Sequence, residues 1–159
     1  AVMFVPQAVN AHDWLKQQDD PPKAVEWQPH EVWSSCDGSL AVTKGAWQRA
    51  DGTFGYFTTV WQRQSNGDYK WVLDQGDKLT EPLDAPEFVQ TRVARCDVAP
   101  GVAMTTFERA AEGGRGKSAD RSLAYEWAVM PDGARSVLIW MQTENGFERV
   151  LDIDAAAPE

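Results

Sequence analysis

From Val25 onward, apolar and polar residues alternate with the two-residue period of a β-strand, and short polar turns interrupt the alternation. Val32-Trp33-Ser34-Ser35-Cys36 runs into Asp37-Gly38, and Leu40 to Trp47 runs into Asp51-Gly52. Phe54 to Arg63 then meets Asn66-Gly67, and Tyr69 to Asp74 follows. Asp-Gly and Asn-Gly between β-rich runs predict tight hairpins, because type I′ turns need positive φ at both central residues. The expected unit is an antiparallel meander. Along Phe54–Arg63 one face carries Tyr56, Thr58 and Val60, and the other carries Phe57, Thr59 and Trp61. Both faces are partly apolar, so both are expected to be covered.

Ahead of the meander, Met3-Phe4-Val5 is a brief strand stopped by Pro6. Asn10 is placed to cap a short helix carrying Ala11, Trp14 and Leu15, which ends before Asp19-Asp20-Pro21-Pro22. Beyond it, Pro86 to Cys96 fits either a short helix or a strand around Arg92–Val98. Val102 to Ala111 suggests a short helix, and Gly113-Gly114-Arg115-Gly116 a flexible loop.

The last segment repeats the grammar of the first. Asp37-Gly38-Ser39-Leu40-Ala41 is echoed by Asp120-Arg121-Ser122-Leu123-Ala124, and Asp51-Gly52 by Asp132-Gly133. Asn145-Gly146 echoes Asn66-Gly67, and Val150-Leu151-Asp152 echoes Val72-Leu73-Asp74. The landmarks keep their order, which predicts a second three-stranded meander. Duplication and a shared hairpin vocabulary both account for the match.

Composition narrows the partners. A chain of 159 residues with 43% apolar and 25% charged residues suits one domain, or one domain with an extension. Its net charge of −9 disfavours a nucleic-acid backbone or an anionic membrane surface. No apolar run approaches the ~20 residues that span a bilayer. Eight Trp imply either a bulky core or a flat-sided cavity. Cys36 and Cys96 lie too far apart for a redox or cysteine-only zinc motif. Two buried free thiols are the plainer reading, and a single disulfide is the other. The start at Ala1, without Met or a charged leader, suggests a processed chain and tips localisation towards export, with cytoplasm close behind.

Residues 1 to about 78 resemble the SnoaL-like branch of the nuclear-transport-factor-2-like superfamily. Phe4-Val5-Pro6, the helix after Asn10 and Trp27-Gln28-Pro29 carry part of the likeness. The rest lies in Gly55-Tyr56-Phe57-Thr58-Thr59-Val60-Trp61-Gln62-Arg63-Gln64 with Asn66-Gly67, Tyr69-Lys70-Trp71 and Asp74-Gln75-Gly76. The resemblance implies an α+β domain: a curved antiparallel sheet wrapped on a helix layer, a cone with an apolar pocket, and a homodimer formed through the sheet. The family's first two helices have no counterpart here and would lie upstream of Ala1. Residues 79–159 would form a C-terminal extension holding the second meander.

Candidate chemistry is sparse. Asp74 ends a strand whose alternation sets Tyr69, Trp71 and Leu73 against Lys70, Val72 and Asp74. In enzymes on the family's cone, a desolvated pocket carboxylate serves as general base, so Asp74 is a catalytic candidate. Its equivalence to Asp152 favours a structural duty instead. His12 and His30, beside Asp13 and Glu31, form a His–carboxylate kit, but their spacing gives no metal site. His12 is the second catalytic candidate. Trp47, Tyr56, Trp61 and Trp71 are candidates to line a pocket for a flat apolar ligand, although aromatics at strand spacing more often fill a core. Ala111 to Ser118 fits a permissive phosphate-loop pattern with Ala in place of the first Gly, but the segment that follows alternates like a strand rather than a helix. No serine elbow or cysteine–histidine nucleophile is present.

The expected function is therefore binding of a small apolar molecule in an aromatic-lined pocket, with no cofactor or metal. A SnoaL-like isomerase, cyclase or hydrolase and a structural interaction module are the alternatives.

Overall fold

The computed structural model describes residues 1–97, 107 and 110–157. Strands β1 (Val2–Phe4) and β2 (Ala8–Asn10) precede the helix α1 (Ala11–Leu15). Then come β3 (Glu26–Ser34), β4 (Leu40–Gln48), β5 (Phe54–Arg63) and β6 (Tyr69–Lys78). After β7 (Gln90–Val93) follow β8 (Glu112–Lys117), β9 (Leu123–Val129), β10 (Arg135–Thr143) and β11 (Gly146–Ala155). Two sheets result, ordered β2-β1-β6-β5-β4-β3-β7 and β11-β10-β9-β8. Residues 79–159 thus supply one strand of the first sheet and the whole of the second.

This architecture overturns the expected α+β cone. The described chain is almost entirely β, and its helix content is one five-residue turn at the β2 end of the first sheet. Asn10 does cap that turn, its side chain accepting from the Asp13 N–H at 3.2 Å. The turn is too short to cover a sheet. A second sheet covers the first instead. Trp33, Leu40, Val42, Val60 and Leu73 on one side meet Leu123, Trp127, Val137, Ile139 and Met141 on the other in a single core. Phe4 closes edge-to-face on Trp127 with ring centroids 5.5 Å apart, and Arg135 reaches Asp77 across the sheets at 3.2 Å.

The two halves repeat each other in detail. Each is a four-stranded meander, β3 to β6 and β8 to β11, the second one strand longer than the repeat predicts. In the β3–β4 loop, Asp37 Oδ1 accepts from Ser35 Oγ at 2.8 Å and from the Ser39 N–H at 2.9 Å. In the β8–β9 loop, Asp120 Oδ1 accepts from Ser118 Oγ at 2.6 Å and from the Ser122 N–H at 3.0 Å. The two loops then bind one another reciprocally. The Asp37 N–H donates to Asp120 Oδ2 at 2.9 Å, and the Asp120 N–H donates to Asp37 Oδ2 at 3.1 Å. Likewise the Cys36 N–H meets Ser122 Oγ at 2.9 Å, and the Ala119 N–H meets Ser39 Oγ at 2.8 Å. An exchange in which i contacts j and j contacts i is the mark of a two-fold relation. Burial pushes both carboxyls up, but these hydrogen bonds outweigh it and hold Asp37 and Asp120 below the ordinary aspartate range.

The repeat extends to an irregularity. In β6 an extra residue, Val72, sits between Trp71, paired with Trp61, and Leu73, paired with Val60. In β11 Val150 occupies the same place, between Arg149, paired with Trp140, and Leu151, paired with Ile139. Each is a β-bulge, which shifts the alternation of one strand by a residue.

Two further expectations change. Gly113–Gly116 is a strand, β8, rather than a loop. Its glycines pair with β9 because rings fill their missing side chains: a Cβ on Gly114 would meet the Trp127 indole at 2.5 Å, and one on Gly116 the Tyr125 ring at 2.5 Å. A phosphate loop therefore has no strand–loop–helix here. Cys36 and Cys96 form a disulfide rather than two thiols, with Cα atoms 5.3 Å apart. Of Pro86–Cys96, the four residues of β7 are a strand. The helix expected over Val102–Ala111 lies mostly outside the described residues.

Candidate functional site

The face of the first sheet turned away from the core carries the candidate site. Its residues follow from the register. Trp27 of β3 pairs with Trp47 of β4, which pairs with Gly55 of β5. Two residues along β5, Phe57 lies between Gly45 and Gly76. The next row is Thr43–Thr59–Asp74, and the last is Ala41–Trp61–Trp71. Large rings thus alternate with glycines and small residues across four strands. The glycines are obligatory: a Cβ at Gly55 would meet the Asp77 carbonyl oxygen at 2.0 Å and the Trp47 indole at 2.5 Å.

A groove of about 420 Å³ runs over this floor, lined by Trp27, Trp47, Phe57, Thr59, Trp61, Trp71 and Asp74, with Val25 and Arg49 beside them. That size falls within the range of small-molecule sites. The rings are held in place. Trp47 Nε1 donates to the Tyr56 carbonyl at 2.9 Å, and Trp61 Nε1 donates to Thr43 Oγ1 at 2.9 Å. Phe57 meets Trp27 edge-to-face at 5.6 Å, and the Arg49 guanidinium lies 5.1 Å from the Trp47 ring centre. Trp27 remains 59% exposed, so the groove is open to solvent.

Asp74 is the acidic member. Thr59 Oγ1 donates to its Oδ1 at 2.6 Å. Burial pushes its carboxyl above the ordinary aspartate value, and the Thr59 hydrogen bond offsets only part of that rise. Strict alternation along β6 would set Asp74 and Trp71 on opposite faces. The bulge at Val72 corrects this: it restores parity between residues three apart and brings both into one groove.

Four of the six candidate residues therefore gather at one place: Trp47, Trp61, Trp71 and Asp74. Tyr56 does not. It belongs to the opposite face of β5 and points into the sandwich, where Gln75 Nε2 approaches its hydroxyl at 3.4 Å. Burial first, and the neighbouring Asp77 second, raise its pKa. His12 is also elsewhere, on exposed α1 with Nδ1 3.8 Å from Asp13. His30 is buried in β3 and lines a neighbouring depression of about 380 Å³ that shares Trp27 and Trp47 with the groove. Sequence reasoning missed Trp27, Phe57, Thr59 and Arg49 as lining residues. Phe57 and Thr59 were nonetheless readable, since the alternation of β5 already places them on the Trp61 face.

The set stacks flat groups better than it moves protons. Asp74 and Arg49 are the ionisable side chains of the groove, and Asp74 has a hydroxyl partner rather than a second acid or base. Among the described residues no group of three or more His, Cys, Asp or Glu could hold a metal, and no helix is long and apolar enough to cross a membrane. No family model, curated protein or solved structure matches this chain.

Proposed function

We propose that this chain is a small-ligand-binding domain whose ligand lies in the indole groove of the first sheet. One observation carries the reading: Trp27, Trp47, Trp61 and Trp71 come from four successive strands and line the same open groove, with a carboxylate among them. An indole turned to solvent gives up apolar burial, and four together form the kind of patch that marks a binding surface. Flat ligands gain about 0.5–1.5 kcal/mol per well-placed aromatic contact beyond simple burial. Two indoles are pre-oriented by hydrogen bonds from their own N–H groups, so little side-chain freedom is lost on binding.

The test uses 2-phenylethanol as a neutral probe and tryptophan fluorescence as the readout. Saturable binding in about the millimolar range is expected, a value normal for so small a molecule. Trp61→Ala and Trp71→Ala should each weaken it about threefold to tenfold with the β-sheet circular dichroism retained. Absence of saturable binding, or binding that both variants leave intact, would overturn the proposal.

A further inference from the structure

We infer that the groove selects an organic monocation, with an ammonium head against Asp74 and an apolar body on the indoles. This deepens the proposed function and rests on it. The strongest support is a comparison the molecule makes with itself. Asp74 and Asp152 occupy equivalent places, each following the bulge of its meander. Three residues before Asp152 stands Arg149, whose Nη1 pairs with its Oδ2 at 3.2 Å. Three residues before Asp74 stands Trp71. One half thus supplies its own cation, and the other puts an indole in that cation's place. Among the described residues Thr59 Oγ1 is the one donor to Asp74, and no described Lys, Arg or His pairs with its carboxylate.

The surroundings suit a cation from outside. Indole faces carry the negative side of the ring quadrupole and attract ammonium groups. The net charge of −9 raises the local concentration of small cations. Arg49 limits the charge to one. It lies over Trp47, in the row of Gly55, and Thr59 pairs with Asp74 four residues further along β5. The backbone rows of Gly55 and Thr59 are about 13 Å apart along the strand. The apolar end of the ligand, rather than a second positive group, belongs beside Arg49.

Calorimetric titration at pH 7.5 with three probes of one shape tests the inference: 2-phenylethylammonium, 2-phenylethanol and 3-phenylpropanoate. The ammonium should bind about tenfold tighter than the alcohol, and the carboxylate weaker than both. Asp74→Asn should bring the ammonium level with the alcohol. Trp71→Arg, which copies the arrangement of the other half, should abolish ammonium binding by filling the site from within. Equal binding of all three probes would leave the groove reading standing and overturn the charge selection. So would an ammonium preference that survives Asp74→Asn. Failure of every probe, or a sedimentation-detected dimer in which the indoles are shielded by a second copy, would overturn both readings.

Discussion

Asp74 concentrates the tension of the groove at a single residue. Its carboxyl is desolvated by the surrounding rings, and only the Thr59 hydroxyl compensates. A carboxyl whose folded-state pKa lies above its unfolded value favours the protonated native state. Its ionisation therefore lowers stability as pH rises from the unfolded pKa through the folded one. Asp74→Asn keeps an acceptor for Thr59 and removes the charge. We expect the variant to melt higher than the parent at pH 7, with the gap closing below pH ~4, where an ordinary aspartate is also protonated. Paired thermal melts across that range check it. A variant that melts lower at neutral pH would mean that the carboxylate is better satisfied than its neighbours indicate.

At the scale of elements, the same turn is built twice with different residues. Gly38 holds φ +68° in the first half, and Arg121 holds φ +63° in the second. Left-handed backbone costs an ordinary side chain roughly 1–2 kcal/mol and costs glycine little. Arg121→Gly should accordingly raise stability by up to about 1 kcal/mol, the gain being trimmed by the extra freedom of glycine in the unfolded chain. Gly38→Ala should lower it by a similar amount, since its Cβ would have room at 3.5 Å from Tyr69 Oη but the wrong backbone angle. Chemical denaturation of both variants reads the pair. Elements also show where sequence pattern suffices. β5 spans Phe54–Arg63 as the alternation predicts, because Asp51-Gly52 and Asn66-Gly67 do turn the chain at its ends. Only Gly52 and Gly67 hold positive φ there, so the turns are not the type I′ expected. β8 was illegible: glycines read as loop until Trp127 and Tyr125 lie on them, and those contacts are tertiary. The shared face of Trp71 and Asp74 was hidden for a similar reason, since a bulge leaves no mark in period-two counting.

For the whole molecule, the order of landmarks in the two halves was visible, but their relation was not. Repeated turns announce two meanders; only the packing of Leu40, Val42 and Val60 against Leu123, Val137 and Ile139 shows that each is the other's cover. The helix layer came from resemblance rather than from apolar periodicity, and the second sheet takes its place. The Cys36–Cys96 disulfide acts at this scale too. It ties the β3–β4 loop to the segment after β7 and closes a loop of 60 residues. Restricting a loop of that length in the unfolded chain stabilises the fold by about 2–4 kcal/mol. The Cys36→Ser/Cys96→Ser double variant should therefore melt about 5–15 °C lower. An unchanged melting temperature would show that the edge strand needs no tether.

The paired loops carry a consequence for how the chain tolerates change. Asp37 completes the backbone hydrogen bonding of the opposite loop, and Asp120 does the same in return. A substitution at either aspartate thus injures two turns at once, one in each half. Change at these positions is coupled: the halves differ on their outer faces, as at Trp71 and Arg149, while the seam between them requires the same residue in both.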